Sequence, residues 1–217
     1  MDNFIRVLDI FFLIDLSLSM GGDRILAVNQ GIPQTIQAID RSMKSRVNID
    51  TRIHILGFST DVKWLTPFEG VSPNSIEWSD FTYEGQSSLG LAINELCDRL
   101  ETSHMSSKCY PPVCILVSDG FHTDSNEFFD STVKRLNTIP WGKRATRLAL
   151  VVGTDAEWYD VDKLNMFCNV NDGIIKMREY SEVIRYVKGS ITSASSLEKS
   201  LQDISNNKSP KADEFIW

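Results

Sequence analysis

Asp15, Ser17 and Ser19 place one carboxylate and two hydroxyls in a single short stretch, and this D-x-S-x-S spacing begins where the apolar run Val7 to Ile14 stops. Oxygen donors of this kind suit a hard divalent cation, with Mg²⁺ first and Mn²⁺ or Ca²⁺ as alternatives. Asp119 likewise follows an apolar run, Val113 to Val117, and Ser87 lies in Gly85-Gln86-Ser87-Ser88-Leu89-Gly90 just ahead of a helical period. Each group also has a plain structural reading. Ser87 or Ser88 can cap a helix, Asp119-Gly120 can form a turn after a buried strand, and Asp15 to Ser19 can be a polar connection. If the first strand and the 113–117 strand are neighbours where strand order reverses, Asp15 and Asp119 converge there. Two carboxylates in one crevice repel unless a cation lies between them.

The elements that would carry these residues follow from periodicity. Strand-length apolar runs at 7–15, 51–59, 62–65, 113–117, 146–152 and 173–177 alternate with helical patterns, and this alternation predicts an α/β fold. The short 62–65 segment reads as an antiparallel edge partner of 51–59, and 113–117 as a central strand buried on both faces. Ile25, Val28, Ile32, Ile36, Ile39 and Met43 recur at helical steps from about Asp23, and Pro33 among them implies a kink or a later start. Leu89 to Leu100, Phe129 to Leu136 and Val161 to Cys168 give further helices, and 181–201 a closing one that Ser181 can cap. The long connection 67–86 is of a length that is functional or carries small structure of its own.

The 217 residues, 42% hydrophobic and 24% charged, suit one globular domain over 1–203, followed by a polar tail, 204–217, that ends in Phe215-Ile216-Trp217. A net charge of −7 without a run of Lys and Arg argues against nucleic acid as a partner. The first apolar stretch holds Asp9 and Asp15 and lacks a basic flank beyond Arg6, so it reads as a strand rather than a secretion signal. Membrane insertion is not expected. Cys97, Cys109, Cys114 and Cys168 form no zinc pattern, and reduced thiols in a cytoplasmic protein fit them best. The tryptophans Trp64, Trp78, Trp141 and Trp158 read as core, and the acidic group Asp124, Glu127 and Asp130 as the start of a helix.

Taken in order, D-x-S-x-S, a hydroxyl before a helix and a strand-end Asp resemble the von Willebrand factor A family over about Val7 to Leu201. The resemblance implies a Rossmann-like, six-stranded, mostly parallel sheet with one antiparallel edge strand and helices on both faces. It also implies a metal-ion-dependent adhesion site with Asp15, Ser17, Ser19, Ser87 and Asp119 as ligands of Mg²⁺, Mn²⁺ or Ca²⁺. Ser87 stands where the family usually has Thr, Gln86 departs from its usual Gly-Gly-Thr, and Ser88 is the alternative if the register differs by one. The stretches Ser19-Met20-Gly21-Gly22, Ile25 to Ile32 and Leu116 to Gly120 are most similar to compact bacterial proteins of the tellurite-resistance TerY type. That similarity implies a cytoplasmic stress-response role beside kinases and phosphatases.

Hydroxyl ligands leave an ion with most of its charge and an exchangeable position, so the expected function is capture of a partner protein's Asp or Glu, without catalysis. A metal-dependent hydrolase with His122 or Asp124 as base is the enzymatic alternative, although a loop His reads first as solvated surface. A structural module with an empty site is the third. No G-x-S-x-G, H-E-x-x-H or phosphate-binding glycine loop occurs.

Overall fold

The computed structural model describes residues 5–101, 103–105, 108–152, 159–179 and 181–192. The chain runs through β1 (Arg6–Asp15), α1 (Asp23–Met43), β2 (Ile49–Phe58), β3 (Val62–Trp64), α2 (Leu89–Arg99) and β4 (Val113–Ser118). It continues through α3 (Asn126–Leu136), α4 (Pro140–Arg144), β5 (Thr146–Val151), α5 (Val161–Phe167) and β6 (Ile174–Lys176). Residues 181–192 are helical and form α6. The expected closing helix beyond 192, the tail 204–217 and Trp158 lie outside the described residues.

The six strands lie in the order β3-β2-β1-β4-β5-β6, parallel throughout except for β3, which runs antiparallel to β2. This is the α/β sheet that the alternation of patterns predicts, in the Rossmann-like form that the family resemblance implies. Its central strands carry unbroken apolar runs because helices cover both faces. In β1 the two-residue period sends Phe12 and Ile14 to one core and Phe11 and Leu13 to the other. The first core is closed by Val28, Ile32 and Ile36 of α1 with Val183 and Val187 of α6. The second is closed by Leu89 and Ile93 of α2, Phe129 and Val133 of α3, and Leu164 of α5.

Several boundaries differ from the sequence expectation. β4 runs on through Ser118, and β5 stops at Val151. α1 is unbroken from Asp23 with Pro33 inside it, so the later start does not occur. A proline in a helix interior costs about 3 kcal/mol. The buried Ile25, Val28, Ile32, Ile36 and Ile39 offset that, each at about 1.5–3 kcal/mol. The five-residue α4 has too few residues for a periodic signal and was not foreseen. The 67–86 connection does carry small structure: a 3-10 turn at Pro73–Ser75, an antiparallel bridge between Ile53 and Val71, and an edge-on Trp78–Phe81 pair 4.8 Å apart. Asn29 of α1 clasps it at Phe81, accepting from the backbone N–H at 2.8 Å and donating to the carbonyl at 3.0 Å. Trp141 is buried, while Trp64 and Trp78 are half-buried against the two cores.

Cys97, Cys114 and Cys168 are free thiols. Burial pushes Cys97, Cys114 and Cys168 up to about 12. Only about one in ten thousand of these thiols is then ionised at pH 8, and the thiolate is the reactive form. Native protein at pH 8 is therefore expected to leave these three unlabelled by a thiol-disulfide reagent over minutes, with prompt labelling in denaturant. Rapid native labelling, located by peptide mapping, would contradict their burial. Among the described residues no helix is long and apolar enough to cross a membrane.

Candidate metal centre

Asp15 ends β1 and Asp119 follows β4, and these two strands are adjacent and parallel. β1 has β2 on its other side, so strand order reverses between β1 and β4, where α/β sheets leave a crevice at their carboxyl ends. Both aspartates are fully buried there. Asp15 Oδ1 accepts from the Ser17 backbone N–H at 3.0 Å, which turns the chain so that the Ser17 and Ser19 hydroxyls come within 3.1 Å of each other. Asp15 Oδ2 accepts from Ser87 Oγ at 3.1 Å and from Ser118 Oγ at 2.7 Å. Asp119 Oδ1 accepts from Phe121 N at 3.1 Å, and its Oδ2 accepts from Arg24 Nη1 at 2.5 Å. The structure thus brings Asp15, Ser17, Ser19, Ser87 and Asp119 to one place from three loops.

Main-chain hydrogen bonds tie those loops together. Leu18 N donates to Gly85 O at 3.0 Å, Glu84 N to Leu16 O at 2.8 Å, Ser88 N to Ser59 O at 2.9 Å and Thr123 N to Ser87 O at 2.8 Å. Of the two candidate serines it is Ser87 that reaches Asp15, whereas the Ser88 hydroxyl donates away from it, to Thr60 O at 3.1 Å. The helix-cap reading of this pair fails as well. Ser88 holds the N-cap position of α2 without a side-chain cap bond, and Asp124 Oδ2 takes the Gly90 N–H at 2.8 Å instead. Asp124 therefore caps α2 rather than its own helix, and Ser125 caps α3 through Phe128 N.

Burial raises Asp15 above the ordinary carboxylate range, against hydrogen bonds from Ser17 and Ser118 that lower it, and the charge of Asp119 raises it further. Asp119 is also raised by burial, even though the Ser19 hydroxyl and Arg24 pull it down. In both cases burial is the largest cause, and it outweighs the hydrogen bonds and, at Asp119, the charge of Arg24. A divalent cation fits this crevice: the donor set is two carboxylates and three hydroxyls, all oxygen. Among the described residues no three His, Cys, Asp or Glu side chains gather as a metal cluster, so the hydroxyls are essential to that fit.

The donors open into a cleft of about 270 Å³ lined by Ser17, Ser19, Ser87, Leu18, Phe121 and His122. His122 is not the solvated loop histidine that its position suggests. Its side chain is 5% exposed and stacks on Phe129 at 4.5 Å, with burial lowering its pKa. Among the described residues its Nδ1 has no hydrogen-bond partner, and it lies 3.7 Å from Asp124 Oδ2. His54 is far from solvent, paired with Asp9 at 2.8 Å inside the sheet. Sequence reading missed Arg24 and Ser118. A polar residue closing the all-apolar run of β4 was a signal for Ser118, whereas nothing local marks Arg24.

Residues 9–138 match the family model of the von Willebrand factor type A domain, and the chain belongs to that family. Its members are typically adhesion or interaction modules rather than enzymes, and they often bind metal through a metal-ion-dependent adhesion site. Among solved structures the chain is similar to proximal thread matrix protein 1 from the mussel byssus, at 13% identity and a TM-score of 0.58, covering 85% of this chain and 48% of that one. A form of the same protein with a zinc-occupied adhesion site gives 13% identity and a TM-score of 0.57, with 85% and 48% covered. The ArnB paralog VWA2 from Sulfolobus acidocaldarius gives 19% identity and a TM-score of 0.56, with 84% and 44% covered. These likenesses establish the fold, and the chain spans less than half the length of each protein. No curated protein sequence matches it.

Proposed function

We propose that this chain is a metal-dependent protein-binding module that captures a carboxylate of a partner protein. The observation that carries the reading is the donor set itself, three serines that line an open cleft together with two buried carboxylates. A bound Mg²⁺, or Mn²⁺ or Ca²⁺ in its place, supplies Lewis acidity toward an outside Asp or Glu. Ser17, Ser19 and Asp119 would hold it directly or through water. Asp15 is turned by Ser17 N and anchored by Ser87 and Ser118, so its role is to fix the hydroxyls as well as to supply charge. Leu18 and Phe121, 64% and 46% exposed, flank the cleft and offer apolar contact to residues beside the captured carboxylate.

In its finer form the reading places the module in a bacterial stress-response system of the tellurite-resistance TerY type, with a kinase or phosphatase as partner. Support comes from the stretches around Met20, Ile25 to Ile32 and Asp119. The reduced thiols of Cys97, Cys114 and Cys168 support a cytoplasmic location. The test uses capped peptides carrying Glu or Gln at one position, titrated by calorimetry with Mg²⁺ and with EDTA. Binding of the Glu peptide alone, lost with EDTA, is expected; equal binding of both peptides in EDTA overturns the carboxylate role.

His122 gives the hydrolase reading one specific observation, a buried imidazole at the same cleft. Asp124 is withdrawn from that role by its bond to Gly90. Phosphatase and nuclease assays with Mg²⁺ or Mn²⁺ are expected to show no turnover, and a rate abolished by His122→Ala would install the enzyme instead.

A further inference from the structure

Asp119 already has a cation. Arg24, in the first turn of α1, donates from Nη1 both to Asp119 Oδ2 at 2.5 Å and to the Ser19 carbonyl at 2.8 Å. It thereby spans two of the three loops that supply donors. The oxygen it takes is the one that Phe121 N leaves open, and the Ser19 hydroxyl bonds to the same carboxylate. Asp119 is fully buried, so without a metal its charge needs a partner. Arg24 supplies it. A divalent ion brought to Asp119 and Ser19 would meet a fixed positive charge within contact distance, which is repulsive and which also blocks the open oxygen. Both cations cannot satisfy that one oxygen. The Arg24 side chain retains 20% exposure, so a rotamer change can carry it toward solvent with α1 in place.

We propose that Arg24 is an internal competitor for the metal: its guanidinium neutralises Asp119 in the metal-free protein and leaves it when a divalent cation arrives. The inference rests on the metal-site reading above. It makes the apparent metal affinity an exchange constant, one cation for another. It also explains how a crevice with two buried carboxylates folds before any metal is bound.

Calorimetric titration of MgCl₂ and MnCl₂ into wild type and Arg24→Gln tests it, together with melts of each protein with and without metal. Arg24→Gln is expected to bind metal about tenfold more tightly, which corresponds to about 1.4 kcal/mol. It should melt lower than wild type when metal-free and level with it when saturated. Arg24→Lys, which keeps the charge but loses the planar fork, should fall between them. If wild type binds metal and Arg24→Gln binds equally or more weakly, the guanidinium positions Asp119 and the competition is overturned while the metal site stands. If neither folded protein binds metal, the metal-site reading fails and the competition with it. Side-chain nitrogen NMR of wild type needs no variant: the Arg24 guanidinium signals should be protected without Mg²⁺ and lose that protection at saturation. Unchanged signals at saturation overturn the exchange.

Discussion

Asp15→Asn is expected to abolish the response to metal and leave the fold standing. The amide keeps the carboxylate's shape, and its oxygen still accepts from Ser17 N. Its NH₂ group faces Ser87 and Ser118, whose hydroxyls can turn from donors into acceptors. What disappears is one negative charge, and metal affinity should fall about a hundredfold or more. In wild type, metal at a hundred times its Kd stabilises the native state by about 2.7 kcal/mol. In Asp15→Asn that shift should vanish. The sign of the pH effect follows from the raised carboxyl. A group whose pKa is higher in the folded state favours folding while protonated, and that contribution is lost as pH rises through the folded value. Metal-free wild type should therefore lose stability relative to metal-free Asp15→Asn as pH climbs above the ordinary carboxylate range. Melting curves from pH 4 to 8 measure both effects. A wild type insensitive to Mg²⁺, Mn²⁺ and Ca²⁺ at every pH would favour the structural module with an empty site.

Gly120→Ala is expected to be the most damaging conservative change near the cleft. Gly120 has φ +82°, and a Cβ there would lie 2.7 Å from Asp160 O and 2.9 Å from Leu164 Cγ. Left-handed backbone costs a non-glycine residue about 1–2 kcal/mol. The contact with Asp160 is worse, because it is backbone that cannot rotate away. Asp160 N also donates to Asp119 O, and the Asp160 side chain caps α5 through Lys163 N. Relief must therefore move Asp119, α5 or both. A loss of about 3 kcal/mol is expected, near the upper end for single changes. That would lower the melting temperature by about 6–12 °C for a chain of this size, and metal affinity should fall with it. Gly22→Ala separates the two causes: Gly22 has φ +72° but nothing within 4 Å of a Cβ. At φ +72° and ψ −130° it should show only a backbone cost, about 1–3 kcal/mol. Equal losses in the two variants would mean that the Asp160 contact is unimportant.

The strands and the β3 edge pairing were legible because they follow from local signals, whereas the meeting of Asp15 with Asp119 hung on β1 and β4 being neighbours, as they are. Apolar runs mark buried strands, and a parallel sheet fixes which ends come together. Ser17, Ser19 and Ser87 were legible for the same reason, since each lies within a few residues of a strand end or a helix start. Arg24 was not. Its partner is 95 residues away, and a lone Arg at the start of a helix carries no sign of a distant carboxylate. The same limit hid Asp124, whose position beside α3 suggested a local cap although the amide it serves lies 34 residues upstream. His122 was misjudged because polarity of the surrounding sequence says nothing about a ring seated on Phe129. Periodicity reports which face of an element is covered, but not which side chain reaches across from another element.

Main-chain bonds at Leu18, Gly85, Ser87 and Thr123, with the Thr123 hydroxyl adding one to Ser87 O, tie the three loops, and Asp119 Oδ1 rests on the main-chain N–H of Phe121. The exposed side chains at Leu18, Gln86 and Phe121 are therefore free of structural duty. Such a frame separates inheritance of the site from choice of target. Under the proposed carboxylate capture, substitutions at those three positions would retune which surface is held while the cradle beneath them stays unchanged. For the protein engineer this makes a small, defined library on a fixed scaffold.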